Sequence, residues 1–242
     1  MEKKMKEIFK FLLKNKKYNN ELQEKFCITI LRPYKTKEER AFALMHHIFY
    51  TQSQPKLDKA LDFFQKIYTD RNALKSFNNF CQFLGADPKE KPYHNLFKAL
   101  KKHEGWGEKT AALFIKTVYQ LHHSKQRDLY FWKDLPKIKK GDKLLLPVDT
   151  VIKYIYEKIT PNSHSFSSIN KLIEGNSKWK NNFVWDDLWF WGFITQKGTG
   201  TDRELEYNPG KYWALPYFDK RPEVIKQIKL SSNKFIKILK DK

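Results

Sequence analysis

The stretch His103–Gln120, "HEGWGEKTAALFIKTVYQ", sets two glycines on either side of a tryptophan, then a lysine, then a run with apolar residues at Ala111, Ile115 and Val118. That run has the period of an α-helix that buries one face. Upstream, Tyr93, Leu96, Phe97 and Leu100 repeat the same period. Two helices therefore meet at Gly105-Trp106-Gly107, where only a tight turn fits. Glycine lets the backbone reverse and come close to another chain, and the amides opening the next helix point outward as donors to an anion. A strand backbone could be gripped there without its bases being read. A plain helical turn is the competing reading of the same residues.

The helical period extends in both directions. It recurs at Met5, Ile8, Phe9 and Leu12, at Ala41, Leu44, Met45 and Ile48, at Leu57, Ala60, Leu61 and Phe64, and at Leu74, Phe77, Cys81 and Leu84. "TQSQP" (51–55) and "GADPKEKP" (85–92) break it with turn-forming residues. From His122 to Pro147 the pattern lapses into a charged insertion whose tip, around "KKGD" (139–142), predicts a small β-hairpin. In "PVDTVIKYIYEKI" (147–159), Asp149 is placed to cap a helix whose stripe is Ile152, Ile155, Tyr156 and Ile159. "FVWDDLWFWGFI" (183–194) is apolar on nearly every side and predicts a helix buried on several faces. The basic "KQIKLSSNKFIKILKDK" (226–242) reads as a last surface helix. The fold class is all-α.

The chain of 242 residues suits one domain or two interlocked lobes. Lys and Arg number 47 against 27 Asp and Glu, a formal charge of +20, which makes nucleic acid the first partner to consider and solvated lysine faces the alternative. Cys27 and Cys81 are too few and too far apart for a zinc site or a four-cysteine cluster, so they are expected in the core, in a reducing, intracellular setting. The amino-terminal apolar run is too short for a signal peptide or a membrane span. Its basic amphipathic pattern allows membrane attachment, but packing against the protein is the expectation.

Lys109 stands where the helix dipole is unfavourable to a cation by ~0.3–1 kcal/mol. The same field, with partial desolvation, is expected to lower the pKa of the amine, and a Schiff-base lysine must present its neutral form. Chance placement competes with this reading in so lysine-rich a chain.

"GWGEKTA" (105–111) followed by "LLLPVDT" (144–150) resembles the signature of the helix-hairpin-helix DNA glycosylase superfamily, and most of all its archaeal-type 8-oxoguanine branch, which lacks an iron–sulfur cluster. The resemblance implies two helical lobes, 36–146 carrying the hairpin and 1–35 with 147–242, separated by a cleft. It implies Lys109 as catalytic lysine and Asp149 as catalytic aspartate of a base-excision-repair glycosylase with AP lyase activity, removing an oxidised purine, 8-oxoguanine foremost. Gly105, Trp106, Gly107 and Thr110 would contact DNA, and Gln52 in "IFYTQSQ" (48–54) would fill the gap left by the extruded base. Asp187 and Trp191, four apart on one helix face, resemble the acidic and aromatic pair of the base pocket, a role weighed against plain core packing. The aromatic segment "YNPGKYWALPYF" (207–218) would line the same cleft or pack against it. Damaged double-stranded DNA would be the partner of a monomer in the cytoplasm or nucleus, with no metal, organic cofactor or membrane involved.

The sequence departs from the family pattern at His103-Glu104, where Leu-Pro is usual, and at Val151, where His is usual. The interval from Lys109 to Asp149 is long and also holds Asp128, Asp134 and Asp142 as rival acids. Two other functions stay open at this point: a non-catalytic hairpin that binds DNA, and a monofunctional glycosylase for alkylated or mismatched bases.

Overall fold

A computed structural model describes residues 1–52, 55–161, 164–175, 181–199, 202–216 and 219–241. Among them are twelve α-helices and one pair of two-residue antiparallel strands. The chain divides into two compact units, Met1–Gln23 with Val148–Lys242, and Glu24–Pro147.

The first unit is built on α1 (Glu2–Asn15), α8 (Thr150–Ile159), α9 (Phe166–Glu174), α10 (Asn182–Ile194), α11 (Pro209–Ala214) and α12 (Pro222–Lys240). The apolar face of α1, Met5, Ile8, Phe11 and Leu12, is buried in this unit. Phe11 meets the Trp191 ring of α10 edge-on at 5.0 Å and the Phe235 ring of α12 at 5.2 Å. With that face taken up by the core, α1 has no comparable apolar surface left for a bilayer. Lys4 Nζ adds a polar tie, donating to the carbonyls of Lys158 and Leu239 near the ends of α8 and α12. No helix among the described residues is long and apolar enough to cross a membrane.

The second unit holds α3 (Lys37–Phe49), α4 (Leu57–Thr69), α5 (Phe77–Phe83), α6 (Pro92–Lys102) and α7 (Glu108–His122), with a 3-10 turn at Arg71–Leu74. The boundary between the units falls within α2 (Lys17–Leu31). Entry into α3 is fixed by a capping box: Thr36 accepts from the Glu39 amide, and Glu39 accepts from the Thr36 amide.

The insertion after α7 carries a tight turn at Lys139–Asp142, where Gly141 has φ +84°, but no strand pairing. The hairpin expected there lies elsewhere, as β1 (Gln196–Lys197) and β2 (Glu204–Leu205). Side-chain anchors hold the insertion down instead. Leu129, Phe131, Trp132, Leu144 and Leu146 are buried, and Trp132 Nε1 donates to the Leu74 carbonyl at 2.8 Å. Asp134 accepts the Phe77 and Asn78 amides opening α5. Asp142 accepts those of Tyr93 and His94 opening α6, whose own N-cap residue, Lys91, supplies no side-chain bond. Each carboxylate thus satisfies orphan helix amides from a distant part of the sequence, a contribution of about 1 kcal/mol or more apiece.

Both cysteines are free thiols in the core, and burial pushes their pKa values up to about 12. They are poor nucleophiles as placed.

Candidate active site

The glycine turn between α6 and α7 is a closed piece of architecture. Gly105 has φ +86°, a region that L residues with side chains avoid, and a Cβ there would stand 3.0 Å from the Phe49 ring. Gly107, by contrast, is extended at the N-cap of α7, with open space where its Cβ would be. Trp106 points inward: it is 3% exposed and packs on Phe49, Phe63 and Phe114 at 5.3–5.9 Å. Thr110 is 1% exposed. Neither side chain reaches the surface of the turn, so backbone is the part of these two residues left to meet a phosphate.

His103, where the resembled signature has leucine, is half-buried. Its ring lies 5.2 Å from Phe63, and burial, helped by the nearby Lys66 charge, holds its pKa below the usual 6.5. Two surface ion pairs, Lys59 with Glu104 at 2.6 Å and Lys101 with Glu108 at 2.8 Å, brace the turn; such exposed pairs contribute ~0–1 kcal/mol each.

Gln52 is tied to this turn. Its Nε2 donates to the Phe49 carbonyl at 3.0 Å, closing the end of α3, and to the Gly105 carbonyl at 3.2 Å. The rest of the motif expected around it, Ser53 and Gln54, lies outside the described residues. Lys109 is in the first turn of α7 and half-buried, with Nζ 3.4 Å from the Thr51 carbonyl. Lys109, Gln52 and the glycine turn are therefore brought together in one unit.

Asp149 belongs to the other unit. It is the N-cap of α8, half-buried, with Oδ1 accepting the Ile152 amide at 2.9 Å. Of the rival acids, Asp134 and Asp142 each engage both carboxylate oxygens with backbone amides of α5 and α6, which leaves them structural work. Asp128 sits in the 3-10 turn Arg127–Leu129, where its carbonyl accepts from Arg40.

Asp187 and Trp191 share one face of α10, 1% and 0% exposed. Trp191 is edge-on to Phe11 and Tyr18, so the stacking expected of it has no exposed ring face in this structure. Asp187 Oδ1 accepts from Asn19 Nδ2 at 2.9 Å, and the same amide reaches Asp186 Oδ2 at 3.3 Å. Of the aromatic segment 207–218, Tyr212 is buried, whereas Tyr217 and Phe218 lie outside the described residues.

Among the buried polar residues not singled out from the sequence are Asn19 and Asp186, which cluster with Asp187. Another is Lys116, 4% exposed on α7, two turns beyond Lys109. A buried lysine is costly unless it is compensated or used. No cluster of three or more His, Cys, Asp or Glu able to hold a metal occurs among the described residues.

No protein-family model matches the chain, and neither the curated proteins nor the solved structures compared with it give a significant match.

Proposed function

We propose that the protein is a bifunctional DNA glycosylase and AP lyase that removes an oxidised purine, 8-oxoguanine foremost, from duplex DNA. The observation that carries this reading is the placement of Lys109. A glycine turn with positive φ opens α7, and Lys109, half-buried as a residue, stands in its first turn with Nζ 3.4 Å from the Thr51 carbonyl at a solvent-exposed contact, while the neighbouring Gln52 is tied to the Gly105 carbonyl. The formal charge of +20 supports a polyanionic partner.

An enzyme that acts on a base in a duplex must first extrude it, at a cost of a few kcal/mol. Gln52, held at the turn, is the residue offered to the vacated stack. The neutral Lys109 amine attacks C1′ of the extruded nucleotide as the N-glycosidic bond breaks, and the base leaves with its bonding pair and takes up a proton. Asp149 stabilises the positive charge that develops on the sugar and assists proton transfer. Ring opening gives an imine between Lys109 and C1′. Loss of the C2′ proton then expels the 3′ phosphate by β-elimination, and water hydrolyses the imine to release the enzyme.

A second reading, a DNA-binding hairpin without catalysis, is favoured by one observation: Oδ1 of Asp149 is already engaged in capping α8. Lys109→Gln separates the two. The glycosylase reading expects base release and strand nicking to be lost while affinity for lesion duplex stays within about twofold; turnover equal to the unsubstituted protein removes Lys109 as nucleophile.

A further inference from the structure

The pair β1–β2 is too short to form a core of its own, and Lys197 and Glu204 on it are exposed. What it sends inward is polar. Gln196, 0% exposed, donates through Nε2 to the Val151 carbonyl at 3.0 Å. Arg203 donates through Nη1 to Gln196 Oε1 at 2.6 Å and through Nη2 to Thr150 Oγ1 at 3.1 Å. Tyr154, further along α8, donates from its hydroxyl to the Arg203 carbonyl at 2.6 Å. Thr150 and Val151 directly follow Asp149, so the bonds close a ring on the two residues after the cap.

Two further features make that ring stiff. The hairpin is rooted on the end of α10, where the Glu206 and Asn208 amides donate to the Thr195 and Ile194 carbonyls at 3.1 and 2.8 Å. Gly192 brings α10 against α8 so closely that a Cβ on it would fall 2.3 Å from Ile155 Cδ1 and 2.8 Å from Val151 Cγ1. A first helical turn normally frays and lets its cap residue rotate; here it is bolted to a neighbouring element by a planar fork with two acceptors.

We propose that Arg203 is a positioning residue for Asp149, acting through Thr150, Gln196 and Val151 to hold the first turn of α8 and so the direction of the capping carboxylate. The catalytic part of this proposal rests on the glycosylase reading above; the mechanical part does not. A carboxylate displaced by about 1 Å from a developing cation can lose on the order of a hundredfold in rate. Lysine cannot replace the guanidinium, because one ammonium does not span both oxygens with the same geometry.

The test uses the full chain with Arg203→Ala, Arg203→Lys and the milder Thr150→Val, which removes one acceptor from an exposed position. Hydrogen exchange of the Ile152 amide, the one bonded to Asp149, is measured first. Exchange about tenfold faster in Arg203→Ala, with α10 and α12 amides unchanged, is the expected result. Unchanged Ile152 exchange overturns the proposal whatever the activity. Single-turnover excision of 8-oxoguanine is then expected to fall roughly tenfold to a hundredfold in Arg203→Ala and Arg203→Lys, and less in Thr150→Val. Duplex affinity and borohydride capture on a preformed abasic site should stay within about threefold. In the Asp149→Asn background Arg203→Ala should cost nothing further; additive losses, or equal losses in excision, affinity and capture, contradict action through Asp149. An unsubstituted protein that neither excises nor is captured defeats the glycosylase reading, and the exchange result then decides the clamp by itself.

Discussion

Gly105→Ala isolates the turn on which the site depends. At φ +86° an L residue is strained by roughly 1–2 kcal/mol. The new methyl carbon would lie 3.0 and 3.1 Å from two carbons of the Phe49 ring, which is 0% exposed and boxed in by Phe64 and Trp106, so overpacking adds roughly 1–2 kcal/mol. The sum, about 2–4 kcal/mol, lowers the thermal midpoint of this unit by on the order of 10 °C. Gly107→Ala, two residues on and with open space at its Cβ, should cost less than about 1 kcal/mol. Differential scanning calorimetry of both variants, followed by Gly105→Ala in a Phe49→Leu background, separates the two parts of the penalty. The smaller residue should recover about 1 kcal/mol of it and leave the backbone strain. A Gly105→Ala midpoint within about a degree of the unsubstituted protein, or identical costs at both glycines, would show that Gly105 is neither strained nor crowded by a side chain.

Three other outcomes are expected. Burial holds His122 at a pKa of about 4, so the unfolded chain takes up a proton below 6.5 that the folded chain refuses. This contribution to stability is therefore full above pH 6.5 and falls away between pH 6.5 and 4, by up to about 3 kcal/mol; urea titrations across that window should show a shallower acid loss in His122→Phe. Asp142→Ala removes two charge-assisted bonds from the opening of α6 and should cost about 1–2 kcal/mol, with faster exchange at the Tyr93 and His94 amides. The affinity for undamaged duplex should fall linearly in log–log form with added salt, by roughly 0.9 per phosphate neutralised; a salt-independent affinity would remove the electrostatic basis of the DNA reading.

The stripes ending at Leu12, Ile48 and Leu100 correspond to α1, α3 and α6, and the cap expected at Asp149 opens α8. The stripe expected at Leu57, Ala60, Leu61 and Phe64 is out of phase: Leu57 and Leu61 are exposed, and α4 buries Ala60, Phe63, Phe64 and Ile67, because its row of apolar residues is wide enough to fit two faces. α2 escaped notice because its buried side changes along its length. Tyr18 and Leu22 face inward one turn apart, then Cys27, Ile30 and Leu31, and the step of five from Leu22 to Cys27 breaks the helical period. The strand pair was misplaced because two-residue strands carry no alternation to read, while Gly141 makes a genuine turn whose flanks are held by Asp134, Asp142 and Trp132 rather than by a ladder.

At the site, the turn was readable and tertiary burial was not. "GWG" permits a positive φ at either glycine; Gly105 takes it and Gly107 does not. That Trp106 and Trp191 turn inward depends on Phe63 and Phe11, which are remote in sequence, and a four-residue spacing fits a buried face as well as a pocket wall. The burial of Lys116 and of the Asn19 cluster likewise depends on what packs over them, which no local pattern encodes.

Borohydride capture on a panel of oligonucleotide duplexes, each bearing one lesion or an abasic site, tests the central assignment most directly. A covalent adduct is expected with 8-oxoguanine and abasic duplexes, its cross-linked peptide mapping to Lys109, and none in Lys109→Gln. Absence of any adduct, or an adduct that persists in Lys109→Gln, would contradict that assignment.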